Sequence, residues 1–256
     1  MKHERKKRIT ISATRWLIVC AAGLWLFAGC AGTSSPPASG PSLPDALAPA
    51  PDGHGWWSVR FRMDRPDDQT RWESDLLIAH RIVAPLVKAY RRDIELWRFH
   101  RRFAKDSMGH QFSFLFFASA ETALRINQQV IVDPVVEQLF SSGTVVEVLT
   151  DDVTHNDRRA VGDTSDANWS PVMQDNWPYF IMGASRMWLG MIDQASRNIG
   201  IEDEATLDQL LDHYQKVNDQ VTHIWQNESQ HALLHHLNAI FGYEPMILKE
   251  TRWKAF

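Results

Sequence analysis

Alternation of apolar and polar positions is clearest between Ile94 and Ser119, where IELWRFHRRF, a short KDSMGH break and QFSFLFFAS read as two strands joined by a turn. Earlier in the chain, WWSVRFRM (Trp56–Met63) sets Trp57, Val59, Phe61 and Met63 against Trp56, Ser58, Arg60 and Arg62, the pattern of a strand packed on one side. Between these segments Trp72, Leu76, His80, Val83, Val87 and Tyr90 recur at steps of three and four. That period predicts a helix entered after Asp64 and Pro66 and kinked at Pro85. Ser119 is placed to cap a second helix, Asp133-Pro134 restarts it, and Gly143 stands where a C-terminal glycine belongs. TVVEVLT (Thr144–Thr150) is a last strand.

The element order over residues 56–153 is then β-α-β-β-α-β, the split βαβ arrangement called ferredoxin-like, so an α+β fold is expected. Residues 154–256 read as a helical region packed against it. THNDRRAVGDTSDANWSP (Thr154–Pro171) is an aperiodic polar loop. The stretch after it, carrying Phe180, Ile181, Ala184, Met187, Trp188 and Met191, predicts a buried central helix broken near Pro178 and ended at Gly200. Thr206 opens an amphipathic helix with Leu207, Leu210, Leu211, Tyr214, Val217, Val221 and Ile224 inward, and if the link at Asn227 is a turn the next helix folds back beside it. A last helix ends at Gly242, followed by a tail with Trp253 and Phe256 tucked in.

Composition adds an address. Residues 1–29 hold six Lys/Arg against one Glu, leaving 21 Lys/Arg against 30 Asp/Glu in the rest, and residues 154–256 hold eight against fourteen. An acidic body gains nothing from bulk electrostatics on meeting nucleic acid, so no nucleic-acid partner is expected. The only cysteines are Cys20 and Cys30, so thiol and disulfide chemistry is absent from residues 56–256. Ala31–Gly55 is nearly all Ala, Gly, Ser and Pro, a tether that reaches about 80 Å if polyproline-extended.

The charged start (Lys2, Arg5, Lys6, Lys7, Arg8) and the apolar run Trp16–Phe27 form a leader too short for a comfortable span. Its end, Leu26-Phe27-Ala28-Gly29-Cys30, resembles the lipobox of bacterial lipoprotein signal peptides, with Phe27 standing where an aliphatic residue is usual. The resemblance implies that residues 1–29 are removed and that Cys30 is lipidated and becomes the mature N-terminus. The chain would then be anchored in a membrane and tethered through residues 30–55. An ordinary secretory signal and an uncleaved anchor are the other readings of the same run. Ala31, in place of the Asp that retains a lipoprotein in the inner membrane, favours the outer membrane of a Gram-negative source.

Two sets of residues carry candidate chemistry. Arg60, Arg62, Arg98, His100 and Arg102 fall on one sheet face, where guanidinium forks suit an oxyanion; ion pairs to Glu147 and to an acidic C-terminal cover are the alternative. On the last helix Glu228, His231 and His235 fall at i, i+3 and i+7, a ligand set for Zn²⁺ or Fe²⁺ that His223 or His213 would join if the chain turned back at Asn227. In that reading His236 points away, toward Leu233 and Ile240. Hydrogen-bonded core histidines are the alternative. Asp163, Asp166 and Asn168 offer oxygen ligands, but their spacing fits no EF-hand and suits local caps. GxSxG, SxxK and glycine-rich phosphate loops are missing. The expected role is therefore that of a lipid-anchored envelope protein that binds an envelope partner or serves structurally, with metal-dependent and anion-binding alternatives.

Overall fold

The structure, a computed structural model, describes residues 8–9, 54–64, 70–103, 109–202 and 204–244. The leader apart from Arg8 and Ile9, Cys30, nearly all of the tether, and Trp253 and Phe256 lie outside the described residues. The chain is mixed α+β and divides into two compact units, residues 1–71 with 81–187 and residues 72–80 with 188–256.

The first unit is built on an antiparallel sheet of β1 (Gly55–Met63), β2 (Leu96–Arg102), β3 (Gln111–Ala118) and β4 (Val145–Thr150), in the order β4-β1-β3-β2. Register follows the alternation: Val59 and Phe99 both pair with Phe114, and Phe61 pairs with Phe112 and Val148. Arg8 and Ile9 add a two-residue pairing to the outer edge of β4, opposite Leu149 and Val148, which no pattern in the sequence announces. One face buries Trp57, Val59, Phe61, Phe112, Phe114 and Phe116, with Phe114 stacked on Phe116 at 5.0 Å and Phe99 5.2 Å from Phe112. Rings of this size each remove roughly 150–250 Å² from water and dominate the core energy.

Two helices of the unit turn apolar sides inward, α3 (Ala120–Ile131) through Ala123, Ile126 and Val130, and α4 (Pro134–Ser141) through Val136 and Leu139. Their ends are set by local chemistry. The Ser119 hydroxyl accepts from the Thr122 amide at 3.2 Å, and Asp133 accepts from Val135 N at 2.8 Å ahead of Pro134. Gly143 takes φ +78°, the left-handed conformation that a Cβ disfavours.

The other sheet face is covered by the segment after β4 and by the first part of α5 (Pro171–Ile199). Trp56, Leu96, Leu115 and Phe117 form a small cluster on it, packed against Val161 and Met182. The Trp56 indole N–H donates to Val161 O at 2.8 Å, and the Phe99 amide on the free edge of β2 donates to Ser185 Oγ at 3.1 Å. With Pro178 and Ser185 buried and Met182 partly so, Phe180 and Met187 face outward and are 41% and 40% exposed. The expectation of a helix buried on most sides is thus corrected for residues 171–187. The expected break near Pro178 is also absent: α5 runs through it.

In the second unit α1 (Trp72–Leu77) packs on α6 (Leu207–Ser229). Leu76, Leu77, Leu210, Tyr214, Val217 and Val221 are buried. The helix begun by α1 continues through a π-helical turn, Ile78–Val83, into α2 (Ala84–Ala89). The irregularity expected at Pro85 takes the form of that turn, because proline offers no N–H to the preceding carbonyls. α5 ends at Gly200 with φ +75°, as its position predicts. No turn occurs at Asn227: α6 passes through a second π segment, Gln230–His235, into α7 (His236–Ile240). Among the described residues no helix is long and apolar enough to cross a membrane.

Candidate functional site

The basic face is organised by Asp151, which directly follows β4. Its carboxylate accepts from Arg60 Nη2 at 3.0 Å, from Ser58 Oγ at 2.9 Å and from Arg158 Nη2. Arg62 turns instead to Glu147, at 3.0 Å. Arg158 is delivered by a clamped loop: the Trp56 amide donates to Arg158 O at 2.8 Å, and Asn156 Oδ1 accepts from the Arg158 amide at 2.8 Å. The clamp requires Gly55, since a Cβ there would lie 2.4 Å from both Arg158 O and Asn156 Nδ2.

Arg98 has a different setting. Its Nη2 donates to Thr164 O at 2.9 Å, and its Nε is buried with no hydrogen-bond partner. Burial, and secondarily the nearby Arg158 cation, push the guanidinium below the ordinary arginine range. His100 is exposed and Arg102 half-buried. Ion pairing therefore accounts for Arg60 and Arg62, while Arg98 is held by a carbonyl and disfavoured as a cation by burial and by Arg158. Asp151 and Arg158 escape a reading of the sequence because each sits outside the alternating strands. The Arg158-Arg159 pair in a polar loop was the only trace of one of them.

The oxygen-rich loop explains itself locally. Asp163 accepts from the Ala160 amide at 2.7 Å, and Asp166 accepts from the Asn168 amide at 2.9 Å.

The histidine face is not assembled as its α-helical spacing suggests. His223 contacts Asn227 Nδ2 at 3.2 Å, and because the helix does not turn back it lies about 12 Å along the axis from His231. His213 is further off and buried, bonded at 2.8 Å to Ser196 Oγ. Glu228 is exposed. What does come together is His231, His235 and His236, with ring centres 5.0, 5.1 and 5.2 Å apart. The placement of His236 away from this face is corrected by the π segment, which widens the turn and brings a residue five places on back to the same side. As the rings stand, His231 and His235 lie nearly parallel at 9°, and among the described residues no three His, Asp or Glu side chains are disposed to hold a metal.

Two further polar contacts in the second unit had no motif to announce them. His80 Nδ1 meets the Tyr214 hydroxyl at 2.7 Å, with its other nitrogen 3.5 Å from Asp193. Ser196 and His213, both buried, join α5 to α6 beside a cleft of about 310 Å³ lined by Gly200, Glu202, Gln209, Asp212 and Lys216. A serine hydroxyl held against a histidine inside the helix packing ties two elements together; it presents no nucleophile to solvent.

Comparison with known proteins finds no family model, no curated protein and no solved structure that matches this chain.

Proposed function

We propose that the protein is a lipid-anchored envelope protein that works by docking a helix of a partner protein onto the outward face of α5. The observation that carries this reading is a heptad seam left in the open. Met173, Phe180 and Met187 recur every seven residues, with Asn176 and Gly183 between them, and Tyr179 and Val172 flank the seam. Phe180 and Met187 are two-fifths exposed, Tyr179 is 56% and Val172 74% exposed, and a Cβ at Gly183 would meet nothing within 4 Å. Large apolar residues alternating with a notch are what a helix seats against by knobs into holes, and contiguous exposed apolar residues mark interaction sites. The partner surface is accordingly an amphipathic helix with an apolar stripe.

The rest of the reading follows the sequence. Lipidation at Cys30, the Ala31 signal and the Pro-rich tether support a body held clear of an outer-membrane surface. A ferredoxin-like identity for the sheet unit is supported by the four-strand order β4-β1-β3-β2 and by antiparallel pairing of every neighbour.

The test is in-cell photo-cross-linking from position 179 of the full lipidated chain, with partner peptides identified by mass spectrometry. A discrete adduct to an amphipathic helix, lost when Gly183→Leu fills the notch, supports the proposal; an adduct to a second copy of this chain would make the seam a dimer interface. Adducts that are diffuse, or unchanged in Gly183→Leu, overturn it.

An oxyanion site is the second reading, favoured by one observation: Arg98 Nε is buried without a hydrogen-bond partner beside a second arginine. Inorganic phosphate would then raise the thermal midpoint of the wild type and leave Arg98→Met unmoved.

A further inference from the structure

We infer that the helix seated on the outward face of α5 is α5 of a second copy of this chain, packed antiparallel about a two-fold axis. The inference rests on the docking reading above and names its partner. With Met173, Phe180 and Met187 as one heptad position, the position three residues on is held by Asn176, Gly183 and Gly190. Large residues thus fill one row of the seam. The other row holds an asparagine and two glycines, and a Cβ at either glycine would meet nothing within 4 Å. Pro178 and Ser185, on the opposite side of the helix, are buried, so the seam is the side that α5 turns to solvent.

A row of large residues needs a row of small ones to receive it, and α5 carries both. Two copies set antiparallel, with the two-fold axis passing between Ile181 and Met182, bring Phe180 onto Gly183, Met187 onto Asn176 and Met173 onto Gly190 of the other copy. The symmetry repeats each contact, as an isologous interface requires. A parallel pair would instead set Phe180 against Phe180 and Gly183 against Gly183, overpacked in one layer and void in the next. The flank carries a charge match in the same register. Arg186 of one copy falls along the axis midway between Asp175 and Tyr179 of the other, on the same side of the seam, and all three residues are exposed. The guanidinium there meets a carboxylate and a ring face, both of which suit it. Packing of Trp177 against Phe180 at 5.2 Å, and of Trp169 against Trp177 at 5.0 Å, holds the central knob in place before the second copy arrives. A foreign helix would have to reproduce both the spacing of notches and the opposite charges that α5 already presents.

The experiment places a photo-cross-linking amino acid at position 176 of the full chain, co-expresses two differently tagged copies in cells and maps the adducts by mass spectrometry. A cross-link to residues 186–188 of a second copy is expected, and Gly183→Leu should abolish it. Arg186→Asp should lower its yield at least about fivefold, since it sets two carboxylates against each other on both flanks. Adding Asp175→Arg to the same chain should restore the yield, with helicity by circular dichroism unchanged in every variant. A discrete cross-link to an amphipathic helix of another protein overturns the self-pairing and leaves the docking reading standing. A cross-link to position 176 of the second copy, or a dimer that Arg186→Asp does not weaken, overturns the antiparallel register. Adducts that are diffuse, or untouched by Gly183→Leu, overturn both readings.

Discussion

The Ser165 hydroxyl donates at 2.7 Å to the Gln174 carbonyl, and that is the carbonyl Pro178 leaves without its helical donor. In an unbroken α-helix the amide of residue 178 would bond to O of residue 174; proline has no amide hydrogen to give. A side chain nine residues upstream supplies the missing donor, and α5 passes through Pro178 without a break. Ser165→Ala should therefore cost about 1 kcal/mol of stability. In a Pro178→Ala background, where the helical bond returns, the same change should cost close to nothing. Urea unfolding of the four proteins of this cycle measures the coupling, and equal costs in both backgrounds would sink the account.

That relationship also marks where sequence reasoning stops. The hairpin, the caps at Ser119 and Asp133 and the glycine stops at Gly143 and Gly200 were legible because each depends on a residue's own conformational preference or on neighbours within three or four positions. The rescue of Pro178 depends on a hydroxyl presented by a loop, and period alone reports only the missing donor. The exposure of Phe180 and Met187 was illegible for a related reason: an apolar stripe has the same pattern whether it meets a core or solvent. Alternation along β1 separates Arg60 and Arg62 from the buried Trp57, Val59 and Phe61, yet the carboxylate that Arg60 meets, Asp151, lies one residue past β4. The neighbourhood of His236 and His231 is illegible for another reason: spacing converts to angle through an α-helical turn, and the chain uses a π turn there, while His223 stays apart because α6 does not turn back at Asn227.

Gly55→Ala tests the loop clamp. A methyl group 2.4 Å from Arg158 O and from Asn156 Nδ2 forces one side of the contact to move, and one of the two atoms is backbone. Overpacking of this kind costs about 1–3 kcal/mol. The displaced loop should also lose protection, so amides around Arg158 are expected to exchange faster than those of α3 in the same protein. A substitution without effect on either reading would mean that the 156–158 segment is not held against β1.

Cys30→Ser tests the anchor. The variant should fail to incorporate labelled palmitate and should leave the membrane fraction, while the folded body stays intact by circular dichroism. Ala31→Asp should keep the lipid and shift the protein from the outer to the inner membrane of a Gram-negative host. Retention of Cys30→Ser in membranes with its leader uncleaved would point to the uncleaved-anchor reading of residues 1–29.

Asp151 and Arg98 should respond unequally to neutralisation. Asp151 is the shared acceptor of Arg60, Arg158 and Ser58, so Asp151→Asn leaves two half-buried guanidinium groups without a counter-charge. Removing one partner of a buried pair costs about 3–5 kcal/mol, and the one-fifth exposure of Asp151 lowers the expectation to about 2 kcal/mol. Arg98 is a cation whose charge burial and Arg158 both disfavour. Arg98→Gln loses one hydrogen bond to Thr164 O but also relieves that repulsion, so its cost should stay below about 1 kcal/mol. In the double variant the repulsion relieved at Arg98 is larger, because Arg158 has lost its carboxylate, and the two changes should together cost less than their sum. Added salt, which screens like charges, should narrow the gap between the two single variants in urea unfolding. If Arg98→Gln proves the more damaging of the two, the arginine is doing structural work through Thr164 that its charge does not describe, and the oxyanion reading loses its support.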